Sequence, residues 1–281
     1  MSTLERIPAH HLPLAFVELP PFPAIALKAL QVMARRDSRL RELHDLIRTD
    51  QAFSAEILRL VNSPLYAFPS PIHSTMQATM LLGFERVQAL TVTIAIRAYL
   101  RDALEMPVLR ACWRHSLACA CVAEHLSRIV LADKDVLYTA GIMHDIGRLA
   151  LAVCHRAPYT ELLSARRSPA ALLDRERELF GIDHCAAGKS LAEAWNLPSD
   201  FATVAARHHE PFTGKCDVLF LLQLACALAD SLGFAVIPPA GSPAYSELRL
   251  HLPDRDRHYL PEDPAELVAL IKAKIHLLER Q

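Results

Sequence analysis

The residues best suited to chemistry are histidines and one aspartate that occur in four short segments of the chain. They are His115 in WRHS, His144 and Asp145 in MHDIGR, His184 in IDHCAAG, and His208 and His209 in ARHHE. Each lies near the middle or the end of a predicted helix. Imidazole nitrogens and carboxylate oxygens that converge from several helices are a usual way to hold one or two divalent metal ions.

The adjacent His144 and Asp145 are the strongest of these candidates. Neighbouring side chains lie about 100° apart around a helix, so the pair could straddle one metal or let the aspartate bridge two. The surrounding helix is strongly apolar, and a carboxylate buried there needs a partner. The other histidines have simpler explanations. His115 could be a hydrogen-bonded core residue, and His208 and His209 lie at a helix end, where the helix dipole favours cations.

Composition excludes several other kinds of site. The 281 residues carry 30 Lys and Arg against 31 Asp and Glu, a net charge of -1, without the basic excess of nucleic-acid-binding proteins. None of the eight glycines has the spacing of a dinucleotide-binding fingerprint or a phosphate-binding loop. The seven cysteines form no C-x-x-C pair, which excludes zinc ribbons and thioredoxin-like sites. Their odd number and apolar surroundings predict free thiols in a reducing compartment.

Proline and small polar residues divide the chain into helix-length segments with an apolar period of about 3.6. The predicted fold class is all-α. Residues 1–104 are expected to form an N-terminal helical bundle, residues 105–236 a second bundle with all the candidate polar residues, and residues 237–281 a C-terminal loop and helix. Within the first bundle, Ser74 and Gly83 are predicted to cap a short helix.

The second bundle is predicted to contain six helices, over about 108–130, 135–154, 169–180, 183–195, 199–208 and 217–232. The His–Asp pair thus falls inside one continuous helix. The most apolar stretch, Val218–Ala229, is shorter than the roughly 20 residues that cross a bilayer, and the N-terminus lacks the pattern of a signal peptide. We therefore expect a cytoplasmic protein without a membrane partner.

Seven segments carry a resemblance to a known family. They are LPPFPAIALKALQVM, LHDLIRTDQAFSAEILRLVNSPLY, MLLGFERVQAL, WRHSLACA, AGIMHDIGRLAL, FGIDHCAAGKSLAEAWNLP and ARHHEP, and together they span about Glu18 to Pro211. In this order the set resembles the HDOD family, bacterial signalling domains related to the HD metal-dependent phosphohydrolases. The resemblance implies an all-α fold in which a helical N-terminal bundle packs against an HD-type helical bundle.

The resemblance also implies roles for individual residues. Metal-binding HD relatives, including the HD-GYP cyclic di-GMP phosphodiesterases, use a histidine, a His–Asp pair, further histidines and a last aspartate. At these positions the chain has His115, His144, Asp145, His184, His208 and His209, with Cys226 in the place of the last aspartate. The implied cofactor is one or two ions of iron, manganese or zinc. Arg148 falls where active enzymes carry a phosphate-contacting basic residue.

Two departures from the active relatives favour a non-catalytic function. The thiolate of Cys226 would be a softer ligand than the carboxylate it replaces, and Asp230, one turn later, could substitute only if the helix shifts. The segment HHEPFTGK also lacks the Gly-Tyr-Pro signature. The leading hypothesis is a signalling output module that acts on unidentified signalling proteins or binds a nucleotide or cyclic dinucleotide, and does not bind DNA. No residue is assigned a catalytic role.

Two alternatives stay open. In the first, the chain is a metal-dependent phosphohydrolase in which a metal-bound hydroxide attacks a phosphate ester. In the second, the histidines only satisfy one another and the backbone inside a scaffold.

Overall fold

The computed structural model describes residues 24–33, 46–47, 51–101, 103–129, 133–165, 168–212, 216–237 and 243–279. Within these ranges the chain forms fourteen α-helices, short 3-10 turns and one π-helical turn, and it forms no strand. The predicted all-α fold class is therefore confirmed.

Four helices form the N-terminal half of the described fold. They are α1 (Ala24–Met33), α2 (Gln51–Val61), α3 (Thr75–Leu82) and α4 (Phe84–Tyr99). Helix α4 is central, because it packs against the other three and also against a helix of the second half. All residues from 86 to 96 are consequently buried, including polar ones.

The predicted caps of α3 lie where they were expected. The Ser74 hydroxyl accepts a hydrogen bond from the backbone N–H of Gln77 at 3.1 Å. Gly83 ends the helix with a φ of 88°, although its ψ of 160° is extended and not left-handed helical. A positive φ of this kind favours glycine, so Gly83 separates α3 from α4 sharply.

The second half contains the remaining helices. They are α5 (Pro107–Leu126), α6 (Lys134–Met143), α7 (Ile146–Cys154), α8 (Arg156–Ser164), α9 (Pro169–Phe180), α10 (His184–Ala194), α11 (Ser199–Arg207), α12 (Val218–Ala229), α13 (Tyr245–Arg249) and α14 (Pro264–Glu279). Helix α5 lies in the middle of one layer and packs against α6, α12 and α14. Helix α7 packs on α10, which in turn packs on α11.

The single helix predicted over 135–154 is wrong, because the chain breaks at the His–Asp pair. Helix α6 ends at Met143, Asp145 has a non-helical φ of −109° and ψ of 22°, and α7 begins at Ile146. The stretch Lys134–Cys154 is apolar and long enough to cross a membrane, but 89 % of its most apolar window is buried inside the protein. This stretch is therefore buried as a core helix is, and the His144–Asp145 pair lies at a bend within the core.

Two glycines allow the helices around this bend to approach closely. A Cβ atom on Gly141 would lie 2.5 Å from Ala120 Cα, and one on Gly147 would lie 2.0 Å from the His184 carbonyl oxygen. Real Cβ atoms do not tolerate such distances to backbone atoms, so larger side chains would push α6 away from α5 and α7 away from α10. These contacts fix the spacing of the helices that carry the histidines.

A charged network joins both halves to the C-terminal helix. Glu124 on α5 accepts hydrogen bonds from Arg86 on α4 and, at 2.5 Å, from Lys274 on α14. Arg86 Nε also lies 2.9 Å from Asp135 Oδ1 at the start of α6. Burial acts to raise the pKa of Glu124, but Lys274 and Arg86 hold this pKa below its ordinary value. Glu124 thus stays ionised and pairs two cations that the fold has removed from water.

Substitution of Gly147 by alanine tests the close packing of α7 on α10. We expect Gly147→Ala to lower the free energy of unfolding by about 3 kcal/mol, since overpacked sites must shift backbone. The matched control is Gly188→Ala in the same interface. There the nearest contact of an added Cβ would be 3.1 Å to Ala205 Cβ, and we expect a change below about 1 kcal/mol. Equal losses in urea denaturation would contradict this account.

Substitution of Glu124 tests the charged network. Glu124→Ala removes the carboxylate that Arg86 and Lys274 share and leaves Arg86 with Asp135 alone, and we expect a loss of about 3 kcal/mol in unfolding free energy. The control is Glu178→Ala, which removes an ion pair of similar geometry, 2.6 Å from Arg175, between exposed side chains. That control should cost less than about 1 kcal/mol. A small effect of Glu124→Ala in denaturant titrations would show that the network is dispensable.

Candidate metal centre

The predicted metal-ligating residues come from five separate places in the second half of the fold. His115 lies on α5, and His144 and Asp145 lie at the break between α6 and α7. The others are His184 at the first turn of α10, His208 and His209 just after α11, and Cys226 on α12. Folding has to bring all of these elements together for the residues to act as one site.

The structure brings all seven predicted metal-ligating residues together. The ring centroids of His144 lie 5.4 Å from His115 and 5.0 Å from His208, and His184 lies 5.5 Å from His208 and 5.0 Å from His209. All except the half-buried His209 are buried, Asp145 and Cys226 included. The convergence that the sequence could not establish is therefore present.

Each of the four buried histidines uses its Nδ1 atom in a contact that orients the ring. The contacts are His144 to Gly141 O at 2.7 Å, His208 to Ala205 O at 2.9 Å, His184 to Glu176 Oε2 at 2.6 Å and His115 to Phe234 O at 3.2 Å. An N–H donated from Nδ1 leaves Nε2 as the free ligand atom, as is usual for metal-binding histidines. His144 Nε2, His208 Nε2 and Asp145 Oδ1 are buried and have no hydrogen-bond partner within the described ranges. Such atoms fit a bound cation.

The ligand atoms form two neighbouring groups. In the first, which we name the thiol group, the atoms of His115, Cys119, His144 and Cys226 all lie within 4.8 Å of one another. In the second, which we name the carboxylate group, the ligand atoms of His144, Asp145 and His208 also lie within 4.8 Å of one another. His144 is common to both, as a residue between two metal positions would be.

Cys119 is the site residue that the sequence analysis missed. Its Sγ lies 3.3 Å from His115 Nε2, one helical turn away on α5. The signal was the four-residue spacing of His115 and Cys119, which places both side chains on one helix face. It was masked because Cys119 lies among apolar residues and looks like a core position.

Electrostatics favour a thiolate in the thiol group. A hydrogen bond from Cys119, together with His144 and His115, holds the pKa of Cys226 well below its ordinary value, although burial opposes this. Burial raises the pKa of Cys119, and Asp230 raises that of His115 despite the opposing effect of burial. The thiolate is the form of cysteine that binds metals, so Cys226 is prepared for that role.

Arg148 occupies much of the other side of the site. Its Nε donates a hydrogen bond to Asp145 Oδ2 at 2.6 Å, and its Nη2 lies 3.1 Å from His184 Nε2 and 3.4 Å from His209 Nε2. Burial acts to raise the pKa of Asp145, but Arg148 holds this pKa well below its ordinary value. Burial and Arg148 both lower the pKa of His184 well below the ordinary range. One guanidinium thus binds three of the predicted metal ligands.

A cavity of about 360 Å³ opens onto this cluster. Its polar wall includes His115, Arg148, His208, His209, Gln223 and Asp230. Arg148 Nη1 has no hydrogen-bond partner in the part of the chain that the structure describes, and it is the atom left for the predicted phosphate contact. Its apolar lining includes Phe212, Val236 and Ile237, so the segment after α12 borders the cavity.

Asp230 reaches the site from outside the ligand groups. It begins the π-helical turn Asp230–Phe234, and its Oδ1 lies 3.2 Å from His115 Nδ1. The helix does change register there, as the substitution of Asp230 for Cys226 would require. The carboxylate orients His115 and does not join the ligand atoms that face one another.

Comparison with known proteins identifies the family. The HDOD domain model matches residues 19–211 of the chain. An uncharacterized protein of Treponema pallidum is 22% identical over 200 residues, which cover 68% of this chain. The chain spans only 38% of that curated relative.

Three solved structures share the fold. A protein of Marinobacter aquaeolei VT8, provisionally named a signal transduction protein, has a TM-score of 0.73 at 22% identity, over 94% of this chain and 60% of that one. An HDOD domain protein of unknown function from Geobacter sulfurreducens has a TM-score of 0.71 at 23% identity, over 94% of each chain. A protein of Shewanella amazonensis SB2B, provisionally named a phosphohydrolase, has a TM-score of 0.68 at 20% identity, over 97% of each chain.

These structural likenesses, all below 25% identity, establish the fold and not the activity. The family match is stronger evidence, because it covers well over half of the chain and contains every predicted metal ligand except Cys226. The protein therefore belongs to the HDOD domain family.

Proposed function

We propose that this chain is a non-catalytic signalling module whose HD-type half binds a metal or a small ligand and whose effect is exerted through other signalling proteins. The observation that carries this proposal is the position of Arg148. Its guanidinium contacts Asp145, His184 and His209, which are the ligands that a second metal position would need.

A hydrolytic site of this type depends on a carboxylate that can hold or bridge metal ions and on a metal-bound water. Here the one carboxylate among the ligand atoms, Asp145, is paired with a cation at 2.6 Å, and Cys226 stands where the second is expected. A divalent ion at the carboxylate group would be repelled by Arg148 at short range in a poorly screened interior. Both features disfavour the two-metal arrangement that phosphate-ester hydrolysis uses.

The cavity supports a ligand-binding role. Its volume of about 360 Å³ is at the small end of ordinary small-molecule sites, which measure about 300–1,000 Å³. Arg148 Nη1 and Gln223 Oε1 are buried polar atoms that no described residue pairs, and both residues line the cavity. A nucleotide or one end of a cyclic dinucleotide offers phosphate and base edges for such atoms. None of the seven cysteines, all of which lie in the described ranges, is assigned to a disulfide, which supports a reducing, cytoplasmic location.

The second candidate function is metal-dependent phosphohydrolysis. It is favoured by the atoms His144 Nε2, His208 Nε2 and Asp145 Oδ1, which have no hydrogen-bond partner in the described part of the chain, and by the position of His208 in the cavity wall. A divalent metal bound there would lower the pKa of a bound water towards about 7. Asp145, His144 and His208 would hold the ion, and Arg148 would contact the phosphoryl oxygens.

An activity assay decides between the two functions. Protein loaded with iron, manganese or zinc under reducing conditions should hydrolyse mononucleotides and cyclic dinucleotides no faster than the His144→Ala, Asp145→Ala double variant, because Arg148 occupies the ligands of the second metal position. The readout is released phosphate or linear product over time. Metal-dependent turnover that the double variant abolishes would establish the hydrolase instead.

Substitution of Arg148 tests directly whether its guanidinium keeps a metal ion from Asp145, His184 and His209. Arg148→Gln frees Asp145, His184 and His209, and we expect the affinity for Mn²⁺ to rise at least about tenfold, equal to about 1.4 kcal/mol. Isothermal titration calorimetry measures the affinity, and circular dichroism checks that the variant is folded. Arg175→Gln, on an exposed face of α9, is the control and should leave Mn²⁺ binding unchanged. An unchanged affinity in Arg148→Gln would mean that the guanidinium does not exclude the metal.

A further inference from the structure

We propose that His115, Cys119, His144 and Cys226 bind one zinc ion in a closed tetrahedral site, with Cys119 as a ligand that the HD-type pattern does not contain. The inference rests on the proposed function, since four protein ligands leave no coordination position for a reactive water. It adds the identity of the metal, the complete ligand set and a structural role for the ion.

The distances suit a tetrahedral ion after a small contraction. With Zn–S of about 2.3 Å and Zn–N of about 2.0–2.1 Å, tetrahedral ligand atoms lie about 3.3–3.8 Å apart. The four ligand atoms of the thiol group lie within 4.8 Å of one another, and Cys119 Sγ is already 3.3 Å from His115 Nε2. Movements of about 1 Å, within the reach of cysteine and histidine side-chain torsions, complete the geometry.

The two histidines are oriented for this ion. His144 donates its Nδ1–H to Gly141 O at 2.7 Å, and His115 Nδ1 faces Phe234 O and Asp230 Oδ1, both at 3.2 Å. Both rings therefore turn Nε2 towards the two sulfur atoms. His144 Nε2 is fully buried and has no hydrogen-bond partner among the described residues. An unpartnered nitrogen aimed at two thiols is the feature that an ion would satisfy.

The chemistry of the four ligands selects zinc. Two thiolates and two imidazoles are soft or borderline donors, whereas manganese and magnesium prefer carboxylate and carbonyl oxygen. Two thiolates also neutralise a divalent ion, so the buried site carries no net charge. The nearby carboxylate of Asp145 is not required, because Arg148 already binds it.

The position of the ligands gives the ion a structural role. Two come from α5, one from the break after α6 and one from α12. Sites with four protein ligands are typically structural, and their binding energy is folding energy. The ion would therefore fasten α5, α12 and the break after α6 to one another.

Cobalt substitution of the untagged, full-length chain in a thiol-free reductant tests the ligand set. Co²⁺ bound by two thiolates gives near-ultraviolet charge-transfer absorption and intense tetrahedral d–d bands, which catalysis does not affect. Cys119→Ser and Cys226→Ser should each remove about half of the charge-transfer intensity and weaken zinc binding at least about tenfold. The control is Cys121→Ser, a buried cysteine two residues from Cys119 that is outside the thiol group, and it should match wild type.

X-ray absorption on the zinc form of the wild-type protein covers the case in which a variant fails to fold. Two sulfur and two nitrogen scatterers are expected. One sulfur or none, full charge-transfer intensity in Cys119→Ser, or no zinc binding at all would each overturn the proposal. The result can be separated from the proposed function. Turnover by a protein whose zinc spectrum shows two sulfur ligands would refute only the non-catalytic function. An inactive protein without sulfur-bound zinc would refute only this inference.

Discussion

The contact between Arg148 and Asp145 is the interaction on which the centre of this molecule depends. Both side chains are almost completely buried, and neither charge could stay there alone. Because the arginine also contacts His184 and His209, one cation connects the break before α7 to the first turn of α10 and the end of α11. The glycine contact between α7 and α10 brings these backbones close enough for that connection.

Part of this arrangement could be predicted from the sequence, because periodicity and capping act locally. The helix segments of the second half and the cap at Ser74 follow from such patterns. The break at Asp145 could not be predicted, since the apolar period continues through it and the bend is stabilised by contacts with Arg148, which lies in the next helix. Cys119 was missed for a related reason. A thiol on an apolar helix face looks like packing until another helix brings His144 and Cys226 opposite to it.

The site and the rest of the fold are stabilised in different ways. Around Arg86, Glu124 and Lys274, opposite charges pair completely and join both halves to the last helix. In the candidate metal centre, five buried nitrogen and oxygen atoms have no hydrogen-bond partner among the described residues, while their neighbours are held in place. Because buried polar atoms are normally paired, this group marks a place where the chain has kept binding capacity instead of stability.

The π-helical turn that follows α12 joins the ligand cluster to the cavity wall. Through this turn, Asp230 and the Phe234 carbonyl both face one nitrogen of His115, and Val236 and Ile237, two and three residues further on, border the cavity. A molecule that displaced this wall would pull on the same backbone that orients His115. Coupling between two binding sites is reciprocal, so a ligand at His115 would change the affinity of the cavity for its own ligand by the same factor. The π-helical turn is the segment that would transmit the change in both directions.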